Sequence, residues 1–133
     1  MSQMMREIVI RAPLFPTEDA EKVKWAILNI FPDATLSIVD EHLVGRAKSL
    51  ERFAEILRDN KIRDAARSQI LHGNQGGEAV FWLNKQVAAV GKVNFTDKNV
   101  VLGAIEVHFI DNDIESLVDS IAPSSRGSRE HRT

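Results

Sequence analysis

The 133-residue sequence predicts a single α+β domain: an antiparallel sheet with helices packed on one face, in the order β-α-β-β-α-α-β-β-β-α. Three observations predict it. Short β-branched stretches with period-two alternation stand at both ends of the chain, apolar residues at helical spacing fill the stretches between, and the connections joining the last three strands are short enough for an antiparallel meander. A composition of 44% hydrophobic and 27% charged residues is ordinary for a globular domain. A chain of this length buries roughly two-thirds of its unfolded surface without staples. The expected domain runs over residues 6–123, followed by a disordered tail at 124–133.

Glu7-Ile8-Val9-Ile10-Arg11 alternates and predicts a strand at 6–12, which Pro13 and Pro16 end. Thr17 is a candidate cap for a helix with Glu18 and Asp19 in its first turn, where the helix dipole favours carboxylates. Ala20, Val23, Ile27 and Ile30 give that helix a core stripe to about Phe31, before Pro32-Asp33. Thr35–Val39 and His42–Gly45 read as short strands, either a hairpin or one strand bulged at Asp40-Glu41. Ser49 is placed to cap a second helix with the apolar face Leu50, Phe53, Ala54 and Leu57. Ile62, Ala65, Ala66 and Ile70 form a third, ending at His72-Gly73, and Gly73 to Gly77 is a turn-rich surface loop.

Glu78 to Phe95 is the stretch around which the rest is organised. Both faces of Glu78–Leu83 are apolar, Val80 and Trp82 on one and Ala79, Phe81 and Leu83 on the other, so a central or doubly covered strand is expected. A hinge at Asn84-Lys85 leads to a second strand at Val87–Phe95, in which Gly91 marks a bulge or close backbone approach. After the turn Thr96–Asn99 comes a third strand over Val100–Ile110. Asp111 or Asn112 caps a last helix carrying Ile114, Leu117, Val118 and Ile121.

Several function classes lose their usual basis. There is no cysteine, so disulfides, thiolate nucleophiles and cysteine metal sites are out, in keeping with a reducing compartment. No N-terminal stretch reads as a signal peptide and no window is long and apolar enough for a membrane span, so a soluble cytoplasmic protein without membrane contact is expected. The loop GNQGG at 73–77 runs from helix to strand and lacks the lysine of a phosphate loop. His42, His72, His108 and His131 are scattered over separate elements without metal-ligand spacing. Glu18-Asp19 is accounted for by helix capping, and Trp25 and Trp82 read most simply as core or interface aromatics. No catalytic residue, cofactor or metal is expected.

A net charge of −2 leaves only a local patch to attract phosphate. Residues 46–67 hold seven bases against four acids, a local charge of +3. Arg46, Lys48, Arg52, Lys61, Arg63 and Arg67 are the candidate contacts, with Lys85 and Lys92 extending the patch, and Arg63 and Arg67 lie one helical turn apart. The alternative is an ordinary charged helix surface with internal pairs. Scarce aromatics and the lack of tyrosine argue against a base-stacking sheet.

The segments PTED at 16–19, AILNIFP at 26–32, IRDAARSQI at 62–70, LNKQVAAVGKVNF at 83–95 and LGAIEV at 102–107 together resemble a family of small archaeal proteins labelled RNA-binding. The resemblance runs from Glu7 to Pro123. It implies a fold similar to the large-subunit ribosomal protein L5, which binds 5S rRNA, and a non-enzymatic RNA-binding role with structured RNA as partner. It also singles out Arg67, Asn84, Lys85 and Gly91: Gly91 and Asn84 read as structural, Lys85 and Arg67 as open between ligand contact and internal pairing. The alternative function is a protein-interaction module, a homodimer joined through a strand edge or the Trp82 face.

Overall fold

Alternation in Glu7–Pro13 (β1) buries Ile8, Ile10 and Ala12 and turns Glu7, Val9 and Arg11 to the opposite side. The same division recurs in His42–Ala47 (β3), Glu78–Leu83 (β5) and Ile105–Ile110 (β7), whereas the edge strand Thr35–Val39 (β2) buries no residue. Two two-residue strands, Asn74–Gln75 (β4) and Phe95–Thr96 (β6), complete the antiparallel sheet, whose order is β2-β3-β1-β7-β5-β4 with β6 also on β5. The computed structural model describes residues 6–97, 99–100 and 103–124, so the predicted tail lies, but for Ser124, outside the described residues.

Helices Ala20–Ile30 (α1), Glu51–Asp59 (α2), Arg63–His72 (α3), Lys85–Ala89 (α4) and Ile114–Ile121 (α5) cover one side of the sheet. Val23, Ile27 and Ile30 of α1, Phe53, Ile56 and Leu57 of α2, and Leu117, Val118 and Ile121 of α5 join Ile8, Ile10, Phe81, Leu83, Val107 and Phe109 in one core. Its centre is aromatic. The Phe53 ring lies 5.5 Å from Phe31 and 5.8 Å from Phe109, and Phe81 meets Phe109 edge-on at 4.9 Å. The α+β class and the single helical layer are therefore as the sequence predicts.

The second half of the meander differs. Of the strand predicted over Val87–Phe95 only Phe95 is in one, in β6: Asn84 caps α4, its Oδ1 accepting from Val87 N at 2.9 Å, and the helix ends at Val90-Gly91. Gly91 adopts φ +78°, the left-handed conformation that glycine supplies after a helix end, with open space around it rather than a close backbone neighbour. Asn29 of α1 donates to the carbonyls of Ala88 and Ala89 at 3.0 and 3.3 Å, satisfying the end of α4. With a helix there, β5 pairs directly with β7, and the strand predicted over Val100–Ile110 begins at Ile105. The true caps also shift by a residue or two. Asp19 caps α1 and Asp113 caps α5, in place of Thr17 and of Asp111 or Asn112, while α2 starts after Leu50 with Ser49 Oγ accepting from Glu51 N at 3.3 Å.

Strand β5 is neither central nor covered twice. It lies near a sheet margin, and its Val80–Trp82 side faces away from the helices. Both tryptophans are outside the core, Trp25 being 60% exposed on α1 and Trp82 half-buried on the open side of the sheet.

Candidate nucleic-acid interface

The face of the sheet away from the helices is built by strand alternation alone. Pairing registers align Ser37, Val44, Arg11, Glu106, Trp82 and Thr96 in one row across the strands. The adjacent row holds Thr35, Arg46, Val9, His108 and Val80. Polar, charged and aromatic side chains therefore share one surface, bordered near Val80 and Trp82 by the end of α3.

His108 lies at the middle of this surface between two carboxylates. Its Nδ1 is 2.6 Å from Glu78 Oε2 and its Nε2 2.6 Å from Glu106 Oε2. Partial burial pulls the imidazole pKa down, but the hydrogen bonds and negative charge of Glu106 and Glu78 outweigh it, so the net shift is upward. Arg11, two residues from Val9 and exposed, has no carboxylate within ion-pair distance among the described residues. Trp82 borders two cavities. One, of about 470 Å³, lies towards β4 and the end of α3; the other, of about 170 Å³, is lined by Arg11, His42 and Glu106.

The eight predicted contacts are distributed over several surfaces. Arg46 lies on the open face, its guanidinium 2.9 Å from Glu7, and with Lys48 it lines a surface cavity of about 400 Å³. Arg52 pairs with Glu55 at 2.9 Å on α2. Lys61, at φ +58°, and Arg63 are exposed at the corner between α2 and α3. Arg67 bridges α3 to α5 through Asp119 at 2.5 Å. Lys85 is buried, donating to the Pro13 carbonyl at 2.5 Å and Glu18 at 3.0 Å. Lys92 is exposed beyond α4. The fold thus brings Arg46 and Lys48 together, and Lys61 with Arg63. It keeps the α2–α3 cations apart from those on the sheet, and engages Arg67 and Lys85 within the protein.

Arg11, Trp82 and His108 were not among the predicted contacts. The alternation of β1 and β7 was visible, and it puts Arg11 and His108 on the side opposite the core residues. Helices on one face imply an open side, but the two apolar faces of Glu78–Leu83 read as a doubly covered strand and so did not point to it.

The fold is that of a small α+β protein, an antiparallel sheet with one helical layer and an open face that mixes Arg11 and Arg46 with Glu7, Glu78 and Glu106. The family model that matches residues 7–110 is described as RNA binding. The chain belongs to the UPF0201 family. It is 48% identical over 126 residues to a UPF0200/UPF0201 protein of Archaeoglobus fulgidus, covering 92% of this chain but only 39% of that one. It is 36% identical to a UPF0201 protein of Pyrococcus horikoshii, over 95% of this chain and 96% of its relative. Among solved structures it is similar to a UPF0201 protein at 48% identity and TM-score 0.85, covering 89% of this chain and 94% of the other. A UPF0201 protein from Methanococcus jannaschii matches at 40% identity and TM-score 0.82, covering 90% and 94%. No helix among the described residues is long and apolar enough to cross a membrane.

Proposed function

We propose that this is a non-enzymatic, cytoplasmic RNA-binding protein that receives RNA on the open face of its sheet. The observation that carries the reading is the row Arg11–Glu106–Trp82, which sets a guanidinium without an ion pair among the described residues and a half-buried indole on the open side of the sheet. Protein sheets read single-stranded RNA by stacking its bases on aromatic side chains, while cations hold the phosphates without reading sequence. Arg46 and Lys48 extend the phosphate path at the other side of the face. Lys61, Arg63 and Lys92, exposed and without a carboxylate partner among the described residues, add attraction from the rest of the molecule. Arg46, Arg52, Arg67 and Lys85 contribute less than a free cation, because intramolecular partners already hold them, Arg46 being the most exposed of the four at 72% of its side chain. A binder rather than an enzyme fits the one titratable cluster on this face, in which both imidazole nitrogens of His108 are engaged by carboxylates.

Fluorescence anisotropy of labelled structured RNA at two salt concentrations tests this, with the double variants Arg11→Glu/Arg46→Glu and Lys61→Glu/Arg63→Glu beside the unmodified protein. Binding should weaken with salt, by about −0.7 in log–log slope per phosphate held on a single strand. The sheet variant should lose about tenfold or more, and the helix-corner variant much less. Loss confined to the helix-corner variant would move the RNA to α2 and α3, and no binding by folded protein would end the RNA reading.

A second reading, a homodimer, is favoured by one observation. β2 is a sheet edge with Ile38 60% and Val39 49% exposed, an arrangement suited to strand pairing between two copies. A monomeric mass by sedimentation across concentrations would remove it.

A further inference from the structure

We propose that the 470 Å³ cleft beside β5 takes one unpaired RNA base, stacked against Trp82, with its phosphates outside. This rests on the RNA-binding reading above and names what part of the RNA the site accepts.

The cleft exists because β4 and β6 are two residues long and flank opposite ends of β5. Between them the end of α3 approaches the strand: Val80 N donates to the Gly73 carbonyl at 3.2 Å, and the backbone there is so close that a Cβ on Gly73 would lie 2.1 Å from Val80 O. Gln69, His72, Gln75, Glu78, Trp82 and His108 line the opening.

That lining suits a base and not a phosphate. An indole offers a stacking surface, two carboxamides offer paired donors and acceptors, and the Glu78 carboxylate accepts from base N–H groups. Neither Lys nor Arg lines the cleft, and its one carboxylate disfavours an anion. Glu78 uses Oε2 for His108, and its Oε1 has no partner among the described residues. The volume lies within the roughly 300–1,000 Å³ of small-molecule sites. Across the indole, the smaller cavity places the Arg11 guanidinium, with Glu106 in the same lining, where a phosphate leaving the stacked base would pass. A paired base cannot enter, because its Watson–Crick edge and both faces are already occupied in the duplex. The preference is therefore for loops and ends over helices.

The chain has two tryptophans, so Trp25→Phe, a change on the exposed side of α1, leaves Trp82 as sole reporter. This full-length variant is titrated with a labelled single-stranded oligoribonucleotide and with the same strand in a duplex, following anisotropy and tryptophan emission together. The single strand should quench Trp82 saturably with the anisotropy midpoint, while the duplex should not quench. Adding Gln69→Ala/His72→Ala should weaken single-strand binding about tenfold and leave duplex binding unchanged. Single-strand binding with unaltered emission, equal quenching by duplex, or no effect of the cleft variant would overturn the base site while leaving RNA binding intact. No anisotropy change with either RNA would remove the RNA reading itself, and this inference with it.

Discussion

The Lys85 ammonium lies 3.0 Å from Glu18 Oε1, with only 7% of one side chain and 11% of the other exposed. It also donates to the Pro13 carbonyl and stands 5.3 Å from the centre of the Phe15 ring. Glu18 in turn accepts from Phe15 N at 3.0 Å. A residue near the start of α4 thus holds the loop between β1 and α1, across more than sixty positions of sequence.

Removing one charge of a buried pair strands the other. Lys85→Ala should destabilise the protein by about 3–5 kcal/mol, and Lys85→Met with Glu18→Gln should recover most of that loss. Urea denaturation measures both. RNA affinity of the folded variants should be unchanged, in contrast to Arg11→Glu.

His108 predicts a pH dependence. Its folded pKa is raised above the usual value near 6.5, so the stability it contributes is fully present below the unfolded pKa and is lost as pH rises through the folded one. Stability followed by denaturant titration from pH 6 to 9 should therefore fall as the imidazolium between Glu78 and Glu106 deprotonates. His108→Gln should flatten that part of the profile.

Gly73→Ala tests the close approach that shapes the cleft. The new methyl has no room beside the Val80 carbonyl, and the strain should cost about 1–3 kcal/mol by denaturation. Gly91→Ala meets no neighbour and should cost less, its penalty coming from φ +78° alone.

The first half of the fold was legible because its patterns are long and its breakers explicit. Val23, Ile27 and Ile30 mark α1, Phe53 and Leu57 mark α2, and proline bounds α1 at both ends. The stretch after β5 was not. Val87 to Val93 is a short apolar run in which helix and strand periods cannot be told apart, and there the Asn84 cap and the Asn29 bonds to α4 decide in favour of helix. The site failed for a different reason. Val80 and Trp82 are apolar and read as covered, yet their side of β5 faces outward, so the open side implied by a single helical layer was not recognised there. Cations were visible as residues, but the partners of Arg67 and Lys85 come from distant segments, so charge counting overstated what is free to meet phosphate.

The central claim is that RNA lies on the open sheet, and amide chemical-shift mapping with a single-stranded oligoribonucleotide tests it most directly. Perturbations should concentrate on β1, β7 and β5, around Arg11, His108 and Trp82, with the Trp82 indole N–H among the largest. Shifts confined to α2 and α3, or none at RNA concentrations that saturate anisotropy, would contradict it.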